Sequence, residues 1–182
     1  MKLLIVDTET GGLNPKEHDL LTIGLVVWED KEFKDELELK ISKEAYRTTE
    51  QALAVNKLNL EELKKIGESE KETIAKIIAF VKKNFGKEKP TVCGHNVNFD
   101  VGFLRSLFER NFFDYEKYLS HRTLDTMSIM TFLFLQGKTE TRLAKLDDAI
   151  QYFQMTITAE ERHTALADTK VTGKILNEML GL

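Results

Sequence analysis

The chain has 182 residues and a formal net charge of −4, with 42% hydrophobic and 31% charged residues. This length suits one domain, residues 1–182, and the composition is that of a soluble globular protein. Proteins that bind nucleic acid through basic surfaces draw their affinity from Lys and Arg, so the acidic balance argues against a simple polybasic binder. It does not exclude a nuclease that uses metal ions.

The sequence also argues against disulfide-rich, multi-cysteine zinc, secreted and membrane-spanning proteins. The single cysteine, Cys93, rules out an internal disulfide framework and a zinc site built from several cysteines. The apolar run at the N-terminus is too short for a signal peptide. No stretch approaches the ~20 apolar residues of a membrane span. We therefore expect a cytoplasmic location.

The first part of the chain is predicted to form three strands. Residues 2–8 are a short apolar run that ends in polar residues, which is typical of a buried central strand. Residues 20–29 are apolar and β-branched, and residues 33–41 alternate between apolar and charged, which suits a half-exposed strand. Asp30 and Lys31 lie between these two strands and predict a hairpin, so we expect the pair to be antiparallel.

Helices and short strands alternate in the rest of the chain. A loop and one short helix are predicted within residues 43–58, and a short strand at residues 90–95. Asn98 is predicted to cap the helix that follows it. The other predicted elements are helices at 59–66 and 69–85, a strand at 122–124, and helices at 126–135, 143–153 and 164–180. This order predicts an α/β fold with a mixed sheet, in which antiparallel strands come first and crossover strands later.

Asp7 and Glu9 form the first group of residues with a chemical signature. They are two residues apart at the end of a strand, so their side chains point to the same face. Two neighbouring acids repel each other unless a cation lies between them, which makes the pair a candidate site for a hard divalent metal. The alternative is that they begin a solvated loop. Gly11 and Gly12 favour the first interpretation, because glycine lets the backbone come close to a ligand.

Asp100 lies in the segment that starts at His95, in the first turn of a predicted helix. An acid at that position also stabilises the helix through its macrodipole, so Asp100 alone indicates no function. His95 is interpreted as a structural histidine.

Asp168 lies in an amphipathic helix, near the small residues Ala165 and Thr172. A carboxylate that faces the interior needs a partner, and a metal would serve. His163 is five residues earlier and can approach the same site from a junction between loop and helix. Its ordinary pKa of ~6.5 suits a general base. Residues 158–161 fit a capping box that would start the helix earlier, and we interpret them as a single turn before the long helix.

Together, these segments resemble the DEDDh family of 3′→5′ exonucleases, which includes the proofreading subunit of bacterial DNA polymerase III, ribonuclease T and oligoribonuclease. The resemblance extends from residue 2 to about residue 180. The family motifs D-x-E, H-N-x-x-F-D and H-x-x-x-x-D match, in order, Asp7 and Glu9, His95 to Asp100, and His163 and Asp168. Residues 52–56 and 124–126 also resemble family segments.

The resemblance implies an RNase H-like fold, a five-stranded mixed sheet in the order 3-2-1-4-5 flanked by helices. It implies two Mg²⁺ or Mn²⁺ ions, held directly or through water, and His163 as the general base. The four implied metal ligands are Asp7, Glu9, Asp100 and Asp168. The positions that match a pocket for the 3′-terminal nucleotide are Thr10, Gly12, Leu13, Asn96 and Phe99, with Leu13 as a wedge against the terminal base.

Two positions depart from the family pattern. Gly11 stands where the proofreading type usually has a second Thr, and Asn56 stands where many relatives have a His near the terminal nucleotide. Neither change removes a catalytic group, but both weaken any transfer of substrate preference.

The function that follows from the resemblance is a metal-dependent 3′→5′ exonuclease. It would release nucleoside 5′-monophosphates from single-stranded or frayed 3′ ends, and DNA of the proofreading or repair type is the first substrate considered. An exoribonuclease or an enzyme that degrades short oligonucleotides is the alternative. A non-catalytic subunit associated with a polymerase is a third interpretation. It predicts the loss of at least one of the five site residues, and all five are present. The predicted partners are nucleic-acid 3′ ends and a DNA polymerase subunit, without a membrane; the sequence does not predict an oligomeric state.

Overall fold

A mixed five-stranded sheet organises the protein in the computed structural model, which describes residues 1–157 and 164–181. The strands are β1 (Lys2–Thr10), β2 (Leu20–Glu29), β3 (Glu32–Lys40), β4 (Thr91–Gly94) and β5 (Thr123–Asp125). Their order in the sheet is β3-β2-β1-β4-β5, which confirms the predicted fold class and strand order.

The helices pack on both faces of this sheet. They are α1 (Glu50–Asn56), α2 (Leu60–Ile66), α3 (Glu70–Phe85), α4 (Val97–Arg110), α5 (Thr126–Leu135), α6 (Leu146–Tyr152) and α7 (Ala165–Met179), with a 3₁₀ turn at Tyr115–Lys117. Among residues 1–157 and 164–181, every helix falls short of the length and apolarity that a membrane span requires.

The strand directions place the ends of three strands together. β2 is antiparallel to β1 and to β3, and the β2–β3 hairpin turns through Asp30 and Lys31, whose φ angles are +52° and +69°. Two successive residues with positive φ are the signature of a two-residue hairpin turn. β4 is parallel to β1, and β5 is parallel to β4. The carboxyl ends of β1, β4 and β5 therefore lie at the same end of the sheet.

The alternation of side chains along β1 divides the core into two layers. Leu4 and Val6 pack into the cluster that contains the buried residues of α3 and α4. Leu3 and Ile5 pack on the opposite face, into the cluster that contains the buried residues of α7. Because side chains alternate along a strand, Asp7 and Glu9 continue the α7 face, and Thr8 continues the α4 face.

Two predicted helix starts are wrong. Asn98 does not cap α4: the helix starts at Val97, and Asn96 precedes it with a φ of +57°. The Asn96 N–H donates to the carboxylate of Asp125, 2.8 Å away, which holds Asn96 in the left-handed conformation that Asn tolerates. The helix predicted at 143–153 starts only at Leu146, because Lys145 is extended and its N–H donates to the Asp148 carboxylate. The turn predicted at residues 158–161 lies outside the described residues.

Candidate active site

Three carboxylates converge at the end of β1. Asp7 and Glu9 come from the strand, and Asp168 comes from the first turn of α7. Each offers an oxygen atom, and these atoms lie within 4.8 Å of one another. All three residues are half-buried. Carboxylate oxygens at this spacing form a donor set that fits a hard divalent cation.

The approach of α7 to the strand depends on Gly24. This residue lies in the middle of β2 and is paired in register with Asp7. A Cβ atom at Gly24 would lie 2.3 Å from the carbonyl carbon and oxygen of Ala165, the first residue of α7. The first turn of α7 therefore rests directly on the β2 backbone, and this brings Asp168 to Asp7. This role of Gly24 was not predicted, although an isolated glycine inside a strand is a recognised signal of close backbone approach.

Asp100 approaches the end of β1 from the opposite face and lies outside the cluster of three. It is in the first turn of α4, it is buried, and it accepts a 2.7 Å hydrogen bond from the Thr8 hydroxyl. Burial raises the pKa of the Asp100 carboxyl, and the charge of Asp125 adds to this, against the opposing effect of the Thr8 hydrogen bond. A nearby cation would stabilise the ionised form of this carboxyl. The roles of all four acids as metal ligands remain predictions.

His95 and Asp125 organise the neighbouring strand ends. The Asp125 carboxylate caps α5 by accepting from the Met127 N–H, in addition to the Asn96 N–H. The Nδ1 atom of His95 lies 3.1 Å from the Thr126 hydroxyl, and its Nε2 atom lies 3.2 Å from the carbonyl oxygen of Ala144. These contacts connect the end of β4 to the start of α5 and to the loop before α6. They agree with the interpretation of His95 as a structural residue.

A cleft of about 300 Å³ lies beside Glu9. Its lining contains Thr8, Glu9, Thr10, Gly12, Leu13, Thr49, Gln51, Ala52, Val55, Asn56 and Phe99. Leu13 is 84% exposed at this cleft, and Phe99 packs on Phe103 with 5.0 Å between the ring centroids. Of the five residues predicted to bind the terminal nucleotide, Thr10, Gly12, Leu13 and Phe99 lie together in this lining. Asn96 lies elsewhere, in the turn between β4 and α4.

Other parts of the lining were not identified from the sequence. Helix α1 supplies Thr49, its N-cap, together with Gln51 and Val55. Thr49 accepts a hydrogen bond from the Ala52 N–H, and a Thr three residues before a good helix former was the available signal. Thr8 was not predicted either. It lies on the same face of β1 as Leu4 and Val6, and a polar residue is unusual at such a core-facing position. His163, the predicted general base, lies outside the described residues.

Comparison with known protein families identifies the family to which the chain belongs. The model of the exonuclease family RNase_T matches residues 4–176. The chain belongs to this exonuclease family. The membership confirms the resemblance seen in the three motifs.

Two sequence relatives are much longer proteins, and the chain matches one segment of each. The chain is 27% identical over 179 residues to a PolC-type DNA polymerase III of Latilactobacillus sakei, which covers 97% of the chain and 11% of that protein. It is 25% identical over 175 residues to the PolC-type enzyme of Thermotoga petrophila, which covers 94% of the chain and again 11% of the relative. The chain thus spans about a tenth of the length of these polymerases.

Solved structures with the same fold include two exonuclease I enzymes. Exonuclease I of E. coli in complex with a dT13 oligonucleotide superposes with a TM-score of 0.82 and 19% identity, over 98% of this chain and 40% of that one. The exonuclease I of Methylocaldum szegediense gives a TM-score of 0.80 and 17% identity, over 97% of this chain and 40% of that one. At this identity the similarity establishes the fold.

Proposed function

We propose that this exonuclease domain is a metal-dependent 3′→5′ exonuclease that releases nucleoside 5′-monophosphates from single-stranded or frayed 3′ ends. The observation that carries the proposal is the convergence of Asp7, Glu9 and Asp168 beside the cleft of about 300 Å³, whose lining includes Glu9. Acidic residues alone would repel phosphate. A set of oxygen donors that fits divalent cations removes this conflict, because bound cations reverse the local charge.

Four acids would hold the cations. Asp7, Glu9 and Asp168 form one donor set, and Asp100 would contribute from the α4 face, directly or through water. Two Mg²⁺ or Mn²⁺ ions held by these acids would supply an activated water and stabilisation of the leaving 3′-oxygen. The chain orients the acids: the Thr8 hydroxyl fixes the Asp100 carboxylate, and the β1 backbone fixes Asp7 and Glu9. His163, by the family motif, would accept the proton of the water.

The cleft favours an unpaired terminal nucleotide. Phe99 offers an aromatic face, and stacking of a base on an aromatic side chain is worth ~1–3 kcal/mol. Leu13 projects from the turn after β1 and would separate the terminal base from its neighbour. A paired end would have to fray before its last nucleotide could enter.

DNA is the substrate that the relatives favour. The sequence relatives are named DNA polymerase III, and E. coli exonuclease I has been solved with dT13 and dA16 oligonucleotides. The same relatives make a polymerase the proposed partner. Recognition of RNA would need a contact to the 2′-hydroxyl, and an exoribonuclease is therefore the alternative outcome of the test.

The test is digestion of matched single-stranded DNA and RNA oligonucleotides, labelled at the 5′ end, with Mg²⁺ or Mn²⁺. We expect stepwise shortening from the 3′ end, loss of activity in chelator, and loss of activity in Asp7→Asn. Asp30→Asn is the matched control, because Asp30 is an exposed residue of the hairpin turn. Full metal-dependent activity of Asp7→Asn would contradict the assignment, and equal rates on the two sugars would remove the preference for DNA.

A further inference from the structure

Helix α1 forms one wall of the cleft. Hydrogen bonds join both the start and the end of this helix to the backbone at the end of β1. At its start, the Thr49 N–H donates to the carbonyl of Gly11 over 2.7 Å. At its end, the Asn56 amide nitrogen donates to the carbonyl of Thr10 over 3.1 Å. Pairing between β1 and β2 shifts register between Glu9 and Thr10, at the point where these attachments begin.

The Asn56 side chain bonds to backbone with both ends of its amide. Its oxygen accepts from the Leu58 N–H over 3.1 Å, while its nitrogen donates to Thr10. The residue is only 6% exposed, although it borders the cleft. Lys57, which follows it, is left-handed with a φ of +56° and ends the helix. The amide is therefore oriented by the protein itself, and a nucleotide would have to displace these bonds to use it.

The other attachment fixes the start of α1 against Gly11. A Cβ atom at Gly11 would lie 2.4 Å from the carbonyl oxygen of Arg47 and 2.9 Å from the Thr48 Cγ2. The segment before α1 is thus already packed on the Gly11 backbone. If the Asn56 bond were lost, the last turn of α1 would lose its attachment to Thr10, and Val55, which lines the cleft together with Phe99, would no longer be held in place.

We propose that Asn56 is a positioning residue that sets the width of the pocket for the terminal nucleotide, without contacting the nucleotide. The proposal rests on the proposed function. It gives Asn56 a role that acts through α1: the side chain holds Ala52 and Val55 at a fixed distance from Thr10, which directly follows Glu9. The width of the pocket then depends on the backbone carbonyls of Thr10 and Gly11, which hold the two ends of α1, and on the side-chain amide of Asn56.

Two substitutions separate the bonds of Asn56. Asn56→Ala removes both. Asn56→Asp keeps an oxygen for the Leu58 N–H but places a second oxygen opposite the Thr10 carbonyl, where a donor is needed. We expect KM for a single-stranded oligonucleotide to rise about 10-fold in Asn56→Ala and at least as much in Asn56→Asp, with kcat changed less than about 2-fold. Loss of binding that is shared by substrate and transition state has this signature.

Asn59→Ala is the matched control. Asn59 is the N-cap of α2 and accepts from the N–H groups of Glu61 and Glu62. Its loss removes an equivalent side chain and destabilises a neighbouring helix without touching the cleft. We expect a wild-type KM. An equal rise of KM in Asn59→Ala would overturn the proposal, as would a wild-type KM in Asn56→Asp.

Hydrogen exchange keeps the two proposals distinguishable. The N–H groups of Thr49, Leu53 and Lys57 bond within or beside α1, and we expect them to exchange faster in Asn56→Ala than in Asn59→Ala. This measurement needs no catalysis. Absence of hydrolysis by the wild type would refute the proposed function alone, whereas unchanged exchange in Asn56→Ala would refute the role of Asn56.

Discussion

Replacement of Gly24 by Ala perturbs the site at the contact that brings Asp168 to β1. A Cβ atom there would lie 2.3 Å from the backbone of Ala165, and ordinary contacts begin near 3.4 Å, so the first turn of α7 must retreat by about 1.1 Å. Asp168 moves with that turn, away from Asp7. Because a misplacement of about 1 Å in a catalytic group can cost ~10²-fold, we expect kcat to fall by about that factor.

The assay is kcat on a single-stranded oligonucleotide at saturating Mn²⁺, measured at a temperature where the variant is folded. Overpacking of this kind costs ~1–3 kcal/mol of stability, so the unfolding curve of Gly24→Ala must be recorded in parallel. Gly86→Ala is the control: its φ of +63° disfavours a side chain, but no atom lies within 4 Å of the added Cβ. It should lose stability and keep kcat. A folded Gly24→Ala with wild-type kcat would refute the reasoning.

Three further predictions concern stability and the proton acceptor. Gly102→Ala in α4 places its Cβ at an ordinary 3.7 Å from Pro15, and should raise the free energy of unfolding by ~0.5–1 kcal/mol, measured in urea. Burial alone would raise the pKa of Glu70, but hydrogen bonds from Arg110, Lys43 and a neighbouring amide outweigh it and lower the pKa to about 2 from 4.5. A lowered pKa stabilises the fold above pH 4.5 and loses this effect as the pH falls toward 2, so Glu70→Gln should cost up to about 3 kcal/mol at neutral pH and little at pH 2. Equal destabilisation at both pH values would contradict this. His163→Ala should lower kcat by ~10²–10⁴-fold while calorimetry still detects Mn²⁺ binding.

The parts of the fold that follow local rules were predictable from the sequence. The run from Lys2 to Thr8 indicated a buried strand, and its period of two placed Asp7 and Glu9 on one face. The Asp30-Lys31 hairpin also followed from neighbouring residues, since a two-residue turn between two strand patterns leaves few alternatives. The strand order came from the family resemblance, because pairing between β1 and β4 joins residues about 90 positions apart.

The features that escaped prediction depend on contacts between distant segments. Gly24 within a strand signals a close backbone approach, but the sequence does not show that the approaching segment is α7, more than 140 residues later. Asn98 was predicted to cap α4, and the sequence does not distinguish it from Asn96, because Asn is a good cap at either position. The Asp125 carboxylate, which decides between them, belongs to another strand. The family resemblance pointed to residues 52–56, but the attachment of Asn56 to Thr10 could not be predicted, because no pattern within residues 50–56 indicates it.

The central position of β1 explains why the acids can meet at its end. A strand in the middle of the sheet has neighbouring strands on both sides, here β2 and β4, and helices pack on both faces of β1. One face brings Asp168 on α7 to Asp7 and Glu9, and the other brings Asp100 on α4 to Thr8. An edge strand such as β3 or β5 would leave one side of the site open to water and without a neighbouring strand end. Asp7, Glu9 and Asp168 therefore bring three carboxylates to one place, with Asp100 on the opposite face of β1. Under the proposed function, divalent cations bound by these acids, rather than surface lysines, would hold a phosphodiester at this site.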